Sequence, residues 1–336
     1  MTKNRFWQLD AHPQGQDFAS ALSLREEELA ALGDGEVRIA AQWFSMDAGT
    51  RMWMGPRTDG YQPPLPLGGK MVGLVLGTVC ESRNPAYAVG AMVRGFAQWA
   101  DYSVVTPALT GLDVVDAGLT DPREHFGTLG MNAWTALIGV RDVARIQPGE
   151  WIAVSAAAGA TGSMACQVAR NLGARVVGIA GGPDKCRYLT EELGAEIAID
   201  YKADDVAARL AAEVPGGLNA YFDNVGGPIL DAVLPNMALF GRVAVCGLVA
   251  AYDNDAPLPG PERYDQVLMK RLRIEGFFLP DYFGRTDAYL PPLRAWLDEG
   301  RLVMRFDETA GLENVLAAYA RMLRGGAIGK VVVKVA

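Results

Sequence analysis

The chain has 336 residues, long enough for about two domains, each with a core of its own. Hydrophobic residues make up 50% and charged residues 21%, an ordinary globular composition. The formal net charge of -8 repels phosphate backbones, so nucleic acid is not expected as a partner.

The opening MTKNRFWQLD lacks the apolar core of a secretory leader, and a cytosolic location is expected. The first 125 or so residues read as short, β-branched strands broken by Gly and Pro: 36–41 (EVRIAA), 73–81 (GLVLGTVCE), 91–95 (AMVRG) and 100–105 (ADYSVV). Between them, 54–69 (MGPRTDGYQPPLPLGG) is a long loop dense in turn residues.

From about residue 127 strand and helix alternate. Strands are expected at 151–156, 175–181, 195–201, 218–225, 241–248 and 273–279, with helices at 184–193, 204–214 and 262–272 among them. This spacing predicts a doubly wound parallel sheet, and the nearly unbroken apolar strands fit a sheet covered on both faces. The run 151–169 carries no charge, but its glycines, serines and change of period argue against a lipid-embedded helix.

A helix at 287–299 is followed by a 3.6-period stripe, Leu312, Val315, Leu316, Tyr319, Met322 and Leu323, and then by KVVVKV at 330–335. A last strand after a six-strand unit is expected to rejoin the N-terminal sheet. The fold class is then α/β, with a β-rich domain at 1–126 and 300–336 and a dinucleotide-binding domain at 127–299 inserted in it.

The strand at 151–156 ends in AAAGATG. Gly159 and Gly162 let the backbone approach a pyrophosphate closely, and the following helix offers its N-terminal amides and dipole. Ala156, Gly159 and Gly162 form a variant of the glycine fingerprint, here in the strand–helix context that it requires. The second strand ends in Gly181-Gly182 with no acid to grip a ribose 2′-hydroxyl, and Lys185 and Arg187 follow. A glycine makes room for a 2′-phosphate and a lysine pairs with it, so NADP(H) is the expected cofactor. Asp184 reads as a helix cap.

The whole chain resembles the zinc-independent medium-chain dehydrogenase/reductases, and among them the alkenal/prostaglandin reductases, NADP-dependent double-bond reductases. The resemblance rests on ESRNP (81–85), LGMNAWTA (129–136), AAAGATGS (156–163), GGPDK (181–185), FDNVGG (222–227), CGLVAAY (246–252), EGFFLPDY (275–282) and IGKVVV (328–333), in that order. It implies a GroES-like β-rich domain holding both termini, with a Rossmann domain inserted in it. It also implies that Thr161 joins the glycine loop and that Gly181, Lys185 and Tyr201 receive the adenosine 2′-phosphate end. Asn224, Cys246, Tyr252, Phe277, Phe278 and Leu279 would meet the rest of the cofactor. Tyr252 would also stand beside the substrate carbonyl, and Trp53, Tyr61 and Tyr282 would line the substrate pocket. A homodimer is usual among such proteins.

Three stretches depart from the family's pattern. SMDAGTR (45–51) lacks the usual proline and pocket tyrosine, with Ala48 and Gly49 in their place; Asn132 stands where proline is common; Ala327 replaces an asparagine.

Two histidines, His12 and His125, and four scattered cysteines offer neither a catalytic nor a structural zinc set, so no metal is expected. Without one, a conjugated carbonyl is the tractable substrate, since hydride can add at the β-carbon while charge spreads to the oxygen. The expected function is NADPH-dependent reduction of the C=C bond of α,β-unsaturated aldehydes and ketones, with Tyr252 as hydrogen-bond donor. A quinone oxidoreductase of the same superfamily and a non-catalytic NADP-binding protein are the alternatives.

Overall fold

A computed structural model describes residues 3–57, 63–252 and 259–335. Tyr61 lies outside the described residues. The chain divides into two compact units, one of Met1–His125, Tyr252–Asp255 and Phe306–Ala336, the other of Phe126–Ala251 and Ala256–Arg305.

The first unit opens with β1 (Lys3–Leu9) and β2 (Leu22–Glu28), an antiparallel pair. Then come β3 (Val37–Ser45), β4 (Val72–Ser82), β5 (Met92–Gln98), β6 (Tyr102–Val105) and β7 (Asp113–Val114). Along β3 alternate residues Val37, Ile39 and Ala41 are buried, as a strand covered on one face requires.

The second unit carries β8 (Trp151–Ser155), β9 (Arg175–Ala180), β10 (Ile197–Asp200), β11 (Leu218–Asp223), β12 (Met237–Val245) and β13 (Arg273–Gly276). They form one parallel sheet in the order β10-β9-β8-β11-β12-β13. This is the doubly wound arrangement that the alternation predicts. The order reverses between β8 and β11, the switch point outside which such sheets bind ligands. Every residue of β8 is buried, which explains its unbroken apolar sequence.

Its helices are α1 (Met131–Leu137), α2 (Ala160–Asn171), α3 (Pro183–Arg187), α4 (Val206–Glu213), α5 (Gly227–Val233), α6 (Asp265–Lys270) and α7 (Thr286–Asp298). The chain then returns to the first unit with β14 (Phe306–Ala310), α8 (Val315–Leu323) and β15 (Lys330–Lys334). β15 pairs antiparallel with β3 and parallel with β14, closing the seven-stranded sheet. Lys330 is buried in that sheet, its Nζ donating to Asp47 Oδ1 at 2.5 Å and to Met46 O at 3.1 Å.

Several bounds differ from the sequence reading. β12 begins at Met237 rather than 241, and β13 stops at Gly276 rather than running to 279. The helix expected at 184–193 is α3 followed by a π-helical turn, Tyr188–Glu192. Among the described residues no helix is long and apolar enough to cross a membrane.

Candidate cofactor and active site

The glycine turn lies at the carboxyl end of β8, beside the switch point. Ala156 takes φ +46°, a left-handed conformation that a non-glycine side chain rarely adopts. Gly159 is the extended N-cap of α2, with φ -84° and ψ 177°, and no side chain caps the helix there. A Cβ on Gly162 would lie 2.2 Å from Ala156 O, so only glycine lets the turn fold back on itself. The Thr161 hydroxyl accepts a 2.9 Å bond from Asn132 Nδ2 on α1. Asn132, one of the departures, therefore ties α1 to the glycine turn.

The end of β9 is built around absence of bulk. A Cβ on Gly181 would sit 2.9 Å from both the Tyr201 ring and Lys202 Cε, so these side chains lie across the strand end. Lys185 on α3 is half-buried, and burial first and the neighbouring Lys202 second push its pKa below the ordinary lysine value. Two cations thus share this corner. The nearby acid, Asp200, accepts from the Gly182 and Lys202 amides at 2.8 and 3.0 Å. Those bonds hold its carboxyl below the usual range. Asp184 is not the helix cap: α3 is capped by Gly182, without a side-chain bond, and Asp184 pairs with Arg187.

At the ends of β11 and β12 a buried polar cluster connects the turns. Asp223, wholly buried, accepts at Oδ1 from Tyr221 OH at 2.8 Å, Gly226 N at 2.9 Å, Val225 N at 3.0 Å and Ser155 Oγ at 3.2 Å. Asn224 donates from Nδ2 to Ser155 O at 2.7 Å and from its amide to Ser155 Oγ at 2.9 Å. Burial, with Asp223 adding, pushes the Cys246 thiol up to about 12 and the Tyr221 hydroxyl well above its usual value. Neither ionises at neutral pH.

Downstream, Phe277 packs edge-on against Phe222 at 6.2 Å between centroids, and Phe278 and Leu279 follow half-buried. Tyr282 stacks edge-on with Tyr289 at 6.4 Å. Tyr252 is half-buried directly after the short turn Val249–Ala251. In the first unit, Trp53 is buried and meets Phe96 edge-on at 5.9 Å.

The second unit therefore assembles Ala156, Gly159, Thr161, Gly162, Asn224 and Cys246 around the carboxyl ends of β8, β11 and β12. Gly181, Lys185 and Tyr201 gather at the end of β9. The sequence reading missed Lys202, Ser155 and Asp223. Lys202 adjoins Tyr201 in sequence, but only the β9–β10 register brings it over Gly181. Ser155 and Asp223 lie 68 residues apart, and no local signal joins them.

Two family descriptions match the chain: an N-terminal domain of oxidoreductase over residues 5–112, and a zinc-binding dehydrogenase over 160–295. The chain is 37% identical to the NADPH-dependent curcumin reductase of Escherichia coli (strain K12), over 99% of this chain and 97% of that protein. It is 35% identical to the NADP(+)-dependent 2-alkenal reductase of Nicotiana tabacum, over 90% of this chain and 88% of the relative. The crystal structure of CurA in complex with NADPH from Vibrio vulnificus superposes with a TM-score of 0.92 at 31% identity, covering 99% of both chains. The zinc in the second description does not fit the donors present. Among the described residues no three His, Cys, Asp or Glu side chains converge, and His12 and His125 each face a backbone carbonyl at 2.9 Å.

Proposed function

The chain belongs to the NADP-dependent double-bond reductases of the zinc-independent medium-chain dehydrogenase/reductase family, and from that premise we propose that it reduces the C=C bond of α,β-unsaturated aldehydes and ketones. Its cofactor is NADP(H), which when bound supplies the hydride that adds to the β-carbon. One observation carries the reading above the others: an uncapped helix start after a glycine turn, with Lys202 lying over Gly181 and close enough to Lys185 to lower its pKa. The amides suit a pyrophosphate and the two ammonium groups suit a 2′-phosphate.

The roles of the chain follow. The turn at 156–162 holds the pyrophosphate, and Lys185 and Tyr201 hold the adenosine end. Asn224, Cys246 and the segment Phe277, Phe278 and Leu279 border the remainder of the cofactor. Tyr252 donates a hydrogen bond to the carbonyl oxygen as enolate charge develops there, and solvent protonates the α-carbon. No Lewis acid is needed, because conjugation already delivers charge to an oxygen that a hydroxyl can meet.

Steady-state assays test this directly. NADPH oxidation is expected with enals and enones and should be slower with NADH; a preference for quinones over every enone, or no turnover at all, overturns the substrate class. Tyr252→Phe should lower kcat about 10- to 100-fold with the NADPH dissociation constant unchanged. Unaltered kcat removes Tyr252 from the mechanism.

A homodimer is part of the same proposal. β13 is bonded to β12 along one edge, and the side chains on its strand alternate Arg273, Ile274, Glu275. An antiparallel two-fold pairing centred on Ile274 sets each Arg273 opposite a Glu275, a self-complementary edge. Light scattering should return twice the chain mass, and Ile274→Pro should return one. The four free cysteines suit a reducing compartment, and the cytosol is the proposed location.

A further inference from the structure

Asp223 has no part in the roles above, yet it is buried and holds bonds from several elements of the second unit. Four donors converge on Oδ1, two of them backbone amides of the turn that leaves β11. Its main-chain oxygen accepts from Cys246 N at 2.8 Å and Gly247 N at 3.1 Å, at the end of β12. The Ser155 hydroxyl that donates to it is the last residue of β8, immediately before Ala156. The second carboxylate oxygen, Oδ2, is buried without a hydrogen-bond partner.

A buried carboxylate is costly unless its bonds are made, so a single oxygen carrying four of them is a strong local constraint. Three strand ends meet at this residue. From β8 the chain enters the glycine turn, from β11 the Asn224 turn, and from β12 the segment that runs on to Tyr252. Val249 N and Ala250 N also bond back to Asn224 O and Val225 O, at 3.1 and 3.2 Å, so the β12 segment follows the β11 turn.

We propose that Asp223 is a positioning residue, holding the glycine turn, the Asn224 turn and the segment 246–251 in one fixed register through Oδ1 and its main-chain oxygen. The proposal rests on the reading of the glycine turn as the NADPH site. Asp223 itself touches neither cofactor nor substrate; it acts through the backbones that do.

The test compares Asp223→Asn with Asp223→Ala in the full chain. Asparagine keeps an acceptor oxygen at the Oδ1 position and puts its amide nitrogen where Oδ2 meets nothing; alanine removes the four Oδ1 bonds and keeps the main-chain oxygen. NADPH binding is read by fluorescence titration, which needs no carbonyl substrate. Amide exchange is read at Val225 and Gly226, the two amides bonded to the side chain. With the fold intact by circular dichroism, Asp223→Ala should weaken NADPH about tenfold or more and speed exchange at those amides, while Asp223→Asn stays within about threefold on both. A folded Asp223→Ala that binds NADPH normally with unchanged exchange overturns the proposal, as does an Asp223→Asn as weak as the alanine variant.

Should Asp223→Ala fail to fold, Ser155→Ala and Tyr221→Phe each remove one donor. A loss of NADPH affinity of about two- to fivefold in Ser155→Ala, larger than in Tyr221→Phe, is then expected, since only Ser155 leads into the glycine turn. Equal or absent effects overturn it. If the wild type turns over no enone, the substrate proposal fails while binding and exchange still decide this one.

Discussion

Lys185 was within reach of a sequence argument because the position after a strand-ending glycine pair is where a 2′-phosphate partner belongs. Lys202 was not, because its place over Gly181 depends on the pairing of β10 with β9. Burial and then Lys202 raise the cost of charge on Lys185, and a 2′-phosphate offsets that cost by pairing with it. Lys202→Ala should therefore raise KM for NADPH about tenfold and leave KM for NADH unchanged. The pH dependence has a definite sign. Lys185 in the free protein loses its proton below the ordinary lysine pKa, because burial and then Lys202 disfavour the charged form. NADPH affinity is thus greatest while Lys185 is protonated and falls as pH rises through that depressed value. In Lys202→Ala one of the two causes is gone, so the fall should begin at higher pH, which fluorescence titrations across the alkaline range would measure. An onset that stays in place removes Lys202 from the corner.

The regular elements were legible where one rule governed them. β8 and β9 are apolar because both faces are covered, and α2 is readable from the glycine turn before it and its run of small residues. The π-helical turn Ile138–Val143 was not, since nothing in a short apolar run separates a π-turn from an α-turn. Gly139 shows what it does: a Cβ there would lie 2.3 Å from Phe222 Cε2 and 2.7 Å from Phe277 Cζ. The widened turn and the missing side chain together seat the Phe277 ring. Arg242 Nε caps the segment's far end, donating to Ala144 O at 2.7 Å, and Arg273 donates to Val143 O. Gly139→Ala must push Phe277 or the turn aside. It should destabilise the protein by about 1–3 kcal/mol, seen as a lower Tm. If the segment at 277–279 borders the nicotinamide as proposed, kcat should fall further than the loss of folded protein explains. An unchanged Tm would mean that the ring has somewhere else to go.

Taken as one charged body, the chain with its net charge of -8 repels NADPH, while Lys185 and Lys202 attract one end of it. Salt decides between these because it screens by distance. The Debye length shrinks from about 10 Å at 0.1 M to about 3 Å at 1 M. Charges spread over the surface are largely screened at the lower concentration already, whereas a phosphate in contact with two ammonium groups is weakened only as salt approaches the higher one. Raising salt over this range should therefore raise KM for NADPH. NADH has no 2′-phosphate to engage the lysines, so its KM should stay level or drop slightly as the remaining repulsion is screened. The ratio of the two KM values should narrow several-fold. In Lys202→Ala about half of that narrowing should vanish, because half of the local attraction has been removed in advance. A cofactor preference that holds constant from 0.1 to 1 M salt would mean that the 2′-phosphate is selected by shape around Gly181, and not by the lysine pair.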